Sequence, residues 1–140
     1  MELDIDPALA AQFSERHDSY SRNLKIFRSV IRVFEVFFKK EKYQNAEIKI
    51  DDDAKHKATI TFCGKKYRFS LVVEPGEPDS ASIVLLKASK DQLLKIGEAA
   101  IADAENIVFP GENRVSLRDS YEFNNAVLKF FMAAITNKRA

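Results

Sequence analysis

The sequence predicts an α+β fold: a long N-terminal helix, a four-stranded antiparallel meander, and two C-terminal helices packed on one sheet face. Three observations carry that prediction. The pattern from Asp6 to Tyr43 is helical, with no glycine and no proline after Pro7. From Ala46 onward the hydrophobic period drops from 3.6 to 2. Beyond Ser89 two capping-box signatures, Ser89-Lys-Asp-Gln92 and Asp119-Ser-Tyr-Glu122, each open a helical pattern. A chain of 140 residues with 46% apolar content is read as one domain, 1–140, with an ordinary packed core.

The first helix starts at Asp6-Pro7, the carboxylate serving as N-cap and the proline as first helical residue. Leu9, Phe13, Tyr20, Leu24, Phe27, Ile31, Phe34 and Phe38 form one stripe along it. A second stripe, Ile26, Val30, Val33 and Phe37, belongs to its later half only. Phe27, Ile31, Phe34 and Phe37 are expected to meet a sheet face carrying Ile60, Phe62 and Phe69. At 1.5 Å per residue one straight helix from Asp6 to Tyr43 is about 57 Å long, against a globule diameter near 37 Å. Either the helix breaks near His17–Ser21 or its first half projects. The register of Phe13, Tyr20 and Leu24 favours a continuous helix.

Ala46–Ile50 alternates as a first strand and Asp51–Ala54 is a turn. Ala58–Cys63 and Lys66–Val73 flank Gly64-Lys65, a two-residue loop that predicts a type II′ hairpin with Phe62 opposite Tyr67 and Ile60 opposite Phe69. Glu74–Ser80 reads as a loop and Ser82–Lys87 as the fourth strand. Helices are expected from Ser89 to about Asp103 and from Asp119 to about Asn137. Asn106–Leu117, with Pro110-Gly111, is a connector with room for a short strand.

Composition excludes more than it names. The single cysteine, Cys63, rules out an intramolecular disulfide and a multi-cysteine metal site. The acidic opening does not resemble a secretory signal, and no apolar run approaches the ~20 residues of a membrane span. A soluble, cytoplasmic protein with no membrane association is expected. Net charge is +1, yet residues 22–42 hold seven basic and two acidic residues, a local +5 that leaves −4 elsewhere.

Candidate chemistry is sparse. Asp51-Asp52-Asp53 with His56 lacks the alternate ligand spacing and the glycine of a calcium loop. Lys65 and Lys66 stand beside Cys63, but thiol catalysis also needs a base, and His56 lies at the other end of the strand. His17 sits off the main stripe between Arg16 and Asp18. There is no G-x-S-x-G, phosphate-binding glycine loop or H-E-x-x-H. No catalytic, metal-ligating or cofactor-binding residue is assigned and no cofactor is expected.

Two surfaces are singled out instead. Lys25, Arg28, Arg32 and Lys39 fall within about 60° on the helical wheel, a ridge suited to a polyanion or an acidic partner. Leu9, Phe13, Tyr20 and Leu24 are the candidate contact of a homodimer. The leading expectation is a non-enzymatic protein-interaction module of the small bacterial accessory type: an adaptor, chaperone, immunity or regulatory protein. The alternative is a nucleic-acid binder using the ridge; a hydrolase or other enzyme ranks third.

Overall fold

The computed structural model describes residues 3–74 and 77–136. One helix, α1 (Pro7–Glu41), precedes seven strands, β1 (Ala46–Asp51), β2 (Ala54–Phe62), β3 (Lys65–Glu74), β4 (Glu77–Ser89), β5 (Gln92–Ile101), β6 (Asn106–Val108) and β7 (Arg114–Ser116). Helix α2 (Ser120–Thr136) ends the described chain. The strands form a single antiparallel sheet in the order β1 to β7, each beside its sequence neighbours. Both helices lie on the same face, α1 over β1 to β4 and α2 against β5 and β7.

This overturns the expected count of four strands and two C-terminal helices. The segment read as a helix from Ser89 is the β4–β5 hairpin, with Ser89 paired to Gln92 and Lys90 at φ +53°. Small polar residues that cap a helix also build a turn, and here the turn is what forms. Gly97, placed mid-helix by that reading, instead lies on the sheet, where it admits α2 closely: a β-carbon there would sit 3.0 Å from Phe130 Cζ. A bulge between Leu85 and Leu86 leaves Ile96 without a directly paired residue, so the apolar positions of β5 do not keep strict alternation. The connector forms a second small hairpin, β6–β7. Glu77–Ser80, expected in a loop, belongs to β4; residues 75 and 76 of that loop, and Asn137 of the last helix, fall outside the described residues.

The β2–β3 hairpin keeps a two-residue loop, but the loop sits one residue earlier than expected and the pairing slips by two. Phe62 pairs with Lys65 and Ile60 with Tyr67, so the turn is Cys63-Gly64. Both have positive φ, +52° and +78°, as a type I′ turn requires. A two-residue slip returns every side chain to the face it left. Ala58, Ile60, Tyr67, Phe69 and Leu71 are therefore still inward and buried.

Helix α1 runs unbroken through His17–Ser21. Asp6 caps it, Oδ1 accepting from the Ala8 N–H at 3.1 Å, and Pro7 opens it. It ends where Lys42 turns left-handed and Tyr43 N–H reaches Phe38 O at 3.3 Å. The core is aromatic at its centre. Phe131 of α2 has ring centroids of Phe34 and Tyr67 at 5.3 Å, Phe62 at 6.0 Å and Phe69 at 6.2 Å. Phe34 meets Phe69 at 5.3 Å as expected. Phe62, however, is stacked on Phe38, while Phe37 is only half-buried, in edge contact with Tyr43 at 5.8 Å. No helix among the described residues is long and apolar enough to cross a membrane.

Candidate interaction surface

Burial along α1 divides it into two parts. From Pro7 to Asp18 every residue is exposed; the first buried ones are Ser19 and Asn23, followed by Ile26, Phe27, Val30, Ile31, Val33, Phe34 and Phe38. The N-terminal third of the helix is thus an arm outside the core. It keeps the spacing of the buried stripe, since Phe13, Tyr20, Phe27 and Phe34 recur every seven residues. The sheet covers the last two, whereas Phe13 is 71% exposed and Tyr20 39%. Leu9 is 47% exposed, and Leu3 and Ile5 ahead of the helix are exposed as well.

The four candidate dimer residues therefore separate. Leu9, Phe13 and Tyr20 stand on the arm, while Leu24 is half-buried against the core. The arm leaves the domain beside a hollow of about 430 Å³ lined by Ser19, Arg22, Asn23 and residues 101–104. Among the described residues Asn23 Nδ2, buried there, has no hydrogen-bond partner. Asp103, on the same rim, accepts from the Glu105 N–H at 2.9 Å and from Asn106 Nδ2, and pairs with Arg114 at 3.3 Å. Those contacts, the Glu105 amide first, hold its carboxyl below the ordinary value.

Lys25, Arg28, Arg32 and Lys39 are all exposed on α1. Among the described residues none of the seven basic residues between 22 and 42 makes an ion pair. Every ion pair seen lies elsewhere, such as Lys95–Glu98 at 2.7 Å and Lys129–Glu112 at 2.9 Å.

One feature of this region escapes the sequence reading. Between α1 and α2 runs a groove of about 500 Å³, with Val33, Val36, Phe37 and Leu128 among its apolar lining and Arg32 and Lys40 among its polar lining. The second stripe, with Val33 and Phe37, carried its signal: a helix with two apolar stripes needs a second element to cover it.

Elsewhere the candidate chemistry disperses. Asp51, Asp52 and Asp53 line the β1–β2 turn, where Lys49 pairs with Asp52 at 3.6 Å and Thr59 donates to Asp51 at 3.4 Å. No group of three metal-ligating side chains occurs among the described residues. Cys63 is exposed at its turn rather than on a strand, and His17 lies exposed beside Asp18 at 3.4 Å. Tyr67, whose hydroxyl burial pushes upward in pKa, packs edge-on against Phe131 and belongs to the core. No protein-family model, curated protein or solved structure matches this chain.

Proposed function

We propose that this protein is a non-catalytic interaction module that works as a homodimer through the arm of its first helix. The observation that carries the reading is the arm itself: Leu9, Phe13 and Tyr20 exposed in line with a stripe that the sheet buries further along. An isolated helix of about 12 residues is marginal in water, and three large apolar side chains on it add an exposed greasy strip. A partner covering the strip removes both costs. A second copy is the simplest such partner, and a two-fold pairing the commonest closed arrangement. A further protein docked on the dimer fits an adaptor, chaperone, immunity or regulatory role. The cytoplasm suits the exposed, unpaired Cys63.

Light scattering tests the reading. The wild type should run near twice its 15.9 kDa chain mass, and Phe13→Asp should shift it to one chain without changing the circular dichroism of the core. A wild-type monomer at tens of micromolar would overturn it.

The second reading, nucleic-acid binding by Lys25, Arg28, Arg32 and Lys39, is favoured by the lack of ion pairs on that half of the helix. It requires retention on DNA or RNA that weakens steeply between 50 and 200 mM salt.

A further inference from the structure

The polarity of charge along α1 is as sharp as its polarity of burial. Residues 3–18 carry Asp4, Asp6, Glu15 and Asp18 against Arg16, a net −3. Residues 19–32 carry Arg22, Lys25, Arg28 and Arg32 and no acid, a net +4. Two such helices laid parallel set like against like. Laid antiparallel, each acidic arm runs beside the other's basic half.

A seam for that arrangement is present. Asp6, Ala10, Phe13, His17, Tyr20 and Leu24 are spaced 4, 3, 4, 3 and 4, the alternation of a coiled-coil seam. At 100° per residue they span about 80° of the helix. All are exposed except Leu24, which is half-buried with part of its surface free. At 100° per residue the seam is centred about 100° from the middle of the buried face of α1, towards the basic ridge.

We infer that the arm and the basic ridge are two halves of one self-complementary interface, the arm of each copy lying antiparallel along the ridge side of α1 in the other. This rests on the homodimer reading above. Within the seam, Phe13, His17, Tyr20 and Leu24 repeat about a point between Asp18 and Ser19, which sets the two-fold axis there. Phe13 then faces Leu24 of the second copy, and His17 faces Tyr20. Arg28 and Arg32 come within a helical turn of the other arm's Asp4 and Asp6. Charge sets direction and register, and the aromatic seam supplies the apolar area, a division of labour general to interfaces. Among the described residues the ridge has no ion pair because its counter-charges are on the second chain.

Charge exchange tests the pairing. Arg28→Glu with Arg32→Glu brings residues 19–32 from +4 to zero and sets two glutamates beside the acidic arm. Asp4→Lys, Asp6→Asn and Asp18→Lys make arm and ridge side both basic while leaving an asparagine able to cap the helix. Each variant alone should weaken dimerisation at least tenfold by analytical ultracentrifugation at low salt, and an equimolar mixture should form a heterodimer. Spin labels at positions 14 and 39 of a Cys63→Ser chain report direction: the 14–14 distance should be about 15–25 Å and the 39–39 distance about 60 Å, from twice 20.5 residues at 1.5 Å. Two short distances would mean a parallel pair and overturn the inference. A dimer indifferent to Arg28→Glu/Arg32→Glu would overturn it too, and loss of DNA or RNA retention in that same variant would assign the ridge to nucleic acid. A wild-type monomer would instead remove the homodimer reading beneath it.

Discussion

Phe130 of α2 reaches so close to Gly97 of β5 that a β-carbon on the glycine would stand 3.0 Å from its Cζ and 3.1 Å from its Cε1. The helix sits on that part of the sheet because position 97 has no side chain. Gly97→Val should destabilise the fold by about 1–3 kcal/mol, the usual range for overpacking. Gly97→Ala should cost less, because a hollow of about 190 Å³ beside Phe130 gives the ring room to move. Thermal melts of both variants check the order; equal effects would mean the ring relaxes freely.

Phe34 is buried and touches Phe38, Phe69 and Phe131. Phe34→Ala should lose about 3–5 kcal/mol, lowering the melting temperature by roughly 10–17 °C for a chain of this size. Phe37→Ala, half-buried against Tyr43, should lose much less. A reversed order would contradict the packing described.

At the β2–β3 turn, Cys63 holds φ +52° at a cost that glycine or asparagine avoids. Cys63→Asn should therefore be neutral or slightly stabilising. Gly64→Val should destabilise well beyond a surface change, and Lys65→Ala should have little effect. Chemical denaturation of the three variants distinguishes this turn from one centred on Gly64-Lys65, in which residue 63 lies in the strand and gains nothing from asparagine.

Asn23 Nδ2 is buried with no partner among the described residues, and such a group costs about 1–3 kcal/mol. Asn23→Leu, branched at the same carbon, should raise the melting temperature by several degrees. A fall would show that the amide serves a partner in solution.

Asp103 has its carboxyl held below the ordinary value of 3.8, chiefly by the Glu105 amide. The ionised form is favoured by the fold, so its contribution is complete above that value and disappears as pH falls through the lower folded one. The melting-temperature gap between wild type and Asp103→Asn should be constant from pH 7 to pH 5 and narrow towards pH 3. A gap unchanged at pH 3 would mean that the ionised carboxylate does not stabilise the fold.

Much of α1 is legible from the sequence because its cap, length and stripe are local properties. Its continuity through His17–Ser21 follows from an unbroken register, and the exposure of Phe13 follows from length against domain size. The hairpin is legible in its faces but not its register, because a slip of two residues leaves the pattern of Ala58, Ile60, Tyr67 and Phe69 unchanged. The error at Ser89–Ile101 has a different source. Leu93, Ile96, Ala100 and Ile101 fit a helical period, and the preceding Ser-Lys-Asp-Gln fits both a cap and a turn. What decides is a long neighbour: β4 needs a second partner along its length, and only the following segment can supply it. The ridge and arm are legible as residues, whereas the groove at Val36 and Lys40 needs the position of α2.

The sheet has its strands in strict chain order, which bears on how the molecule assembles. Each hairpin can close as soon as its second strand exists, so sheet growth involves only short loops and little closure entropy. Helix α1 is made before the strands it packs on, and until they have formed its nine buried residues have nothing to cover them. During synthesis the N-terminal helix is the aggregation-prone part of the chain, and growth of the meander beneath it ends that exposure.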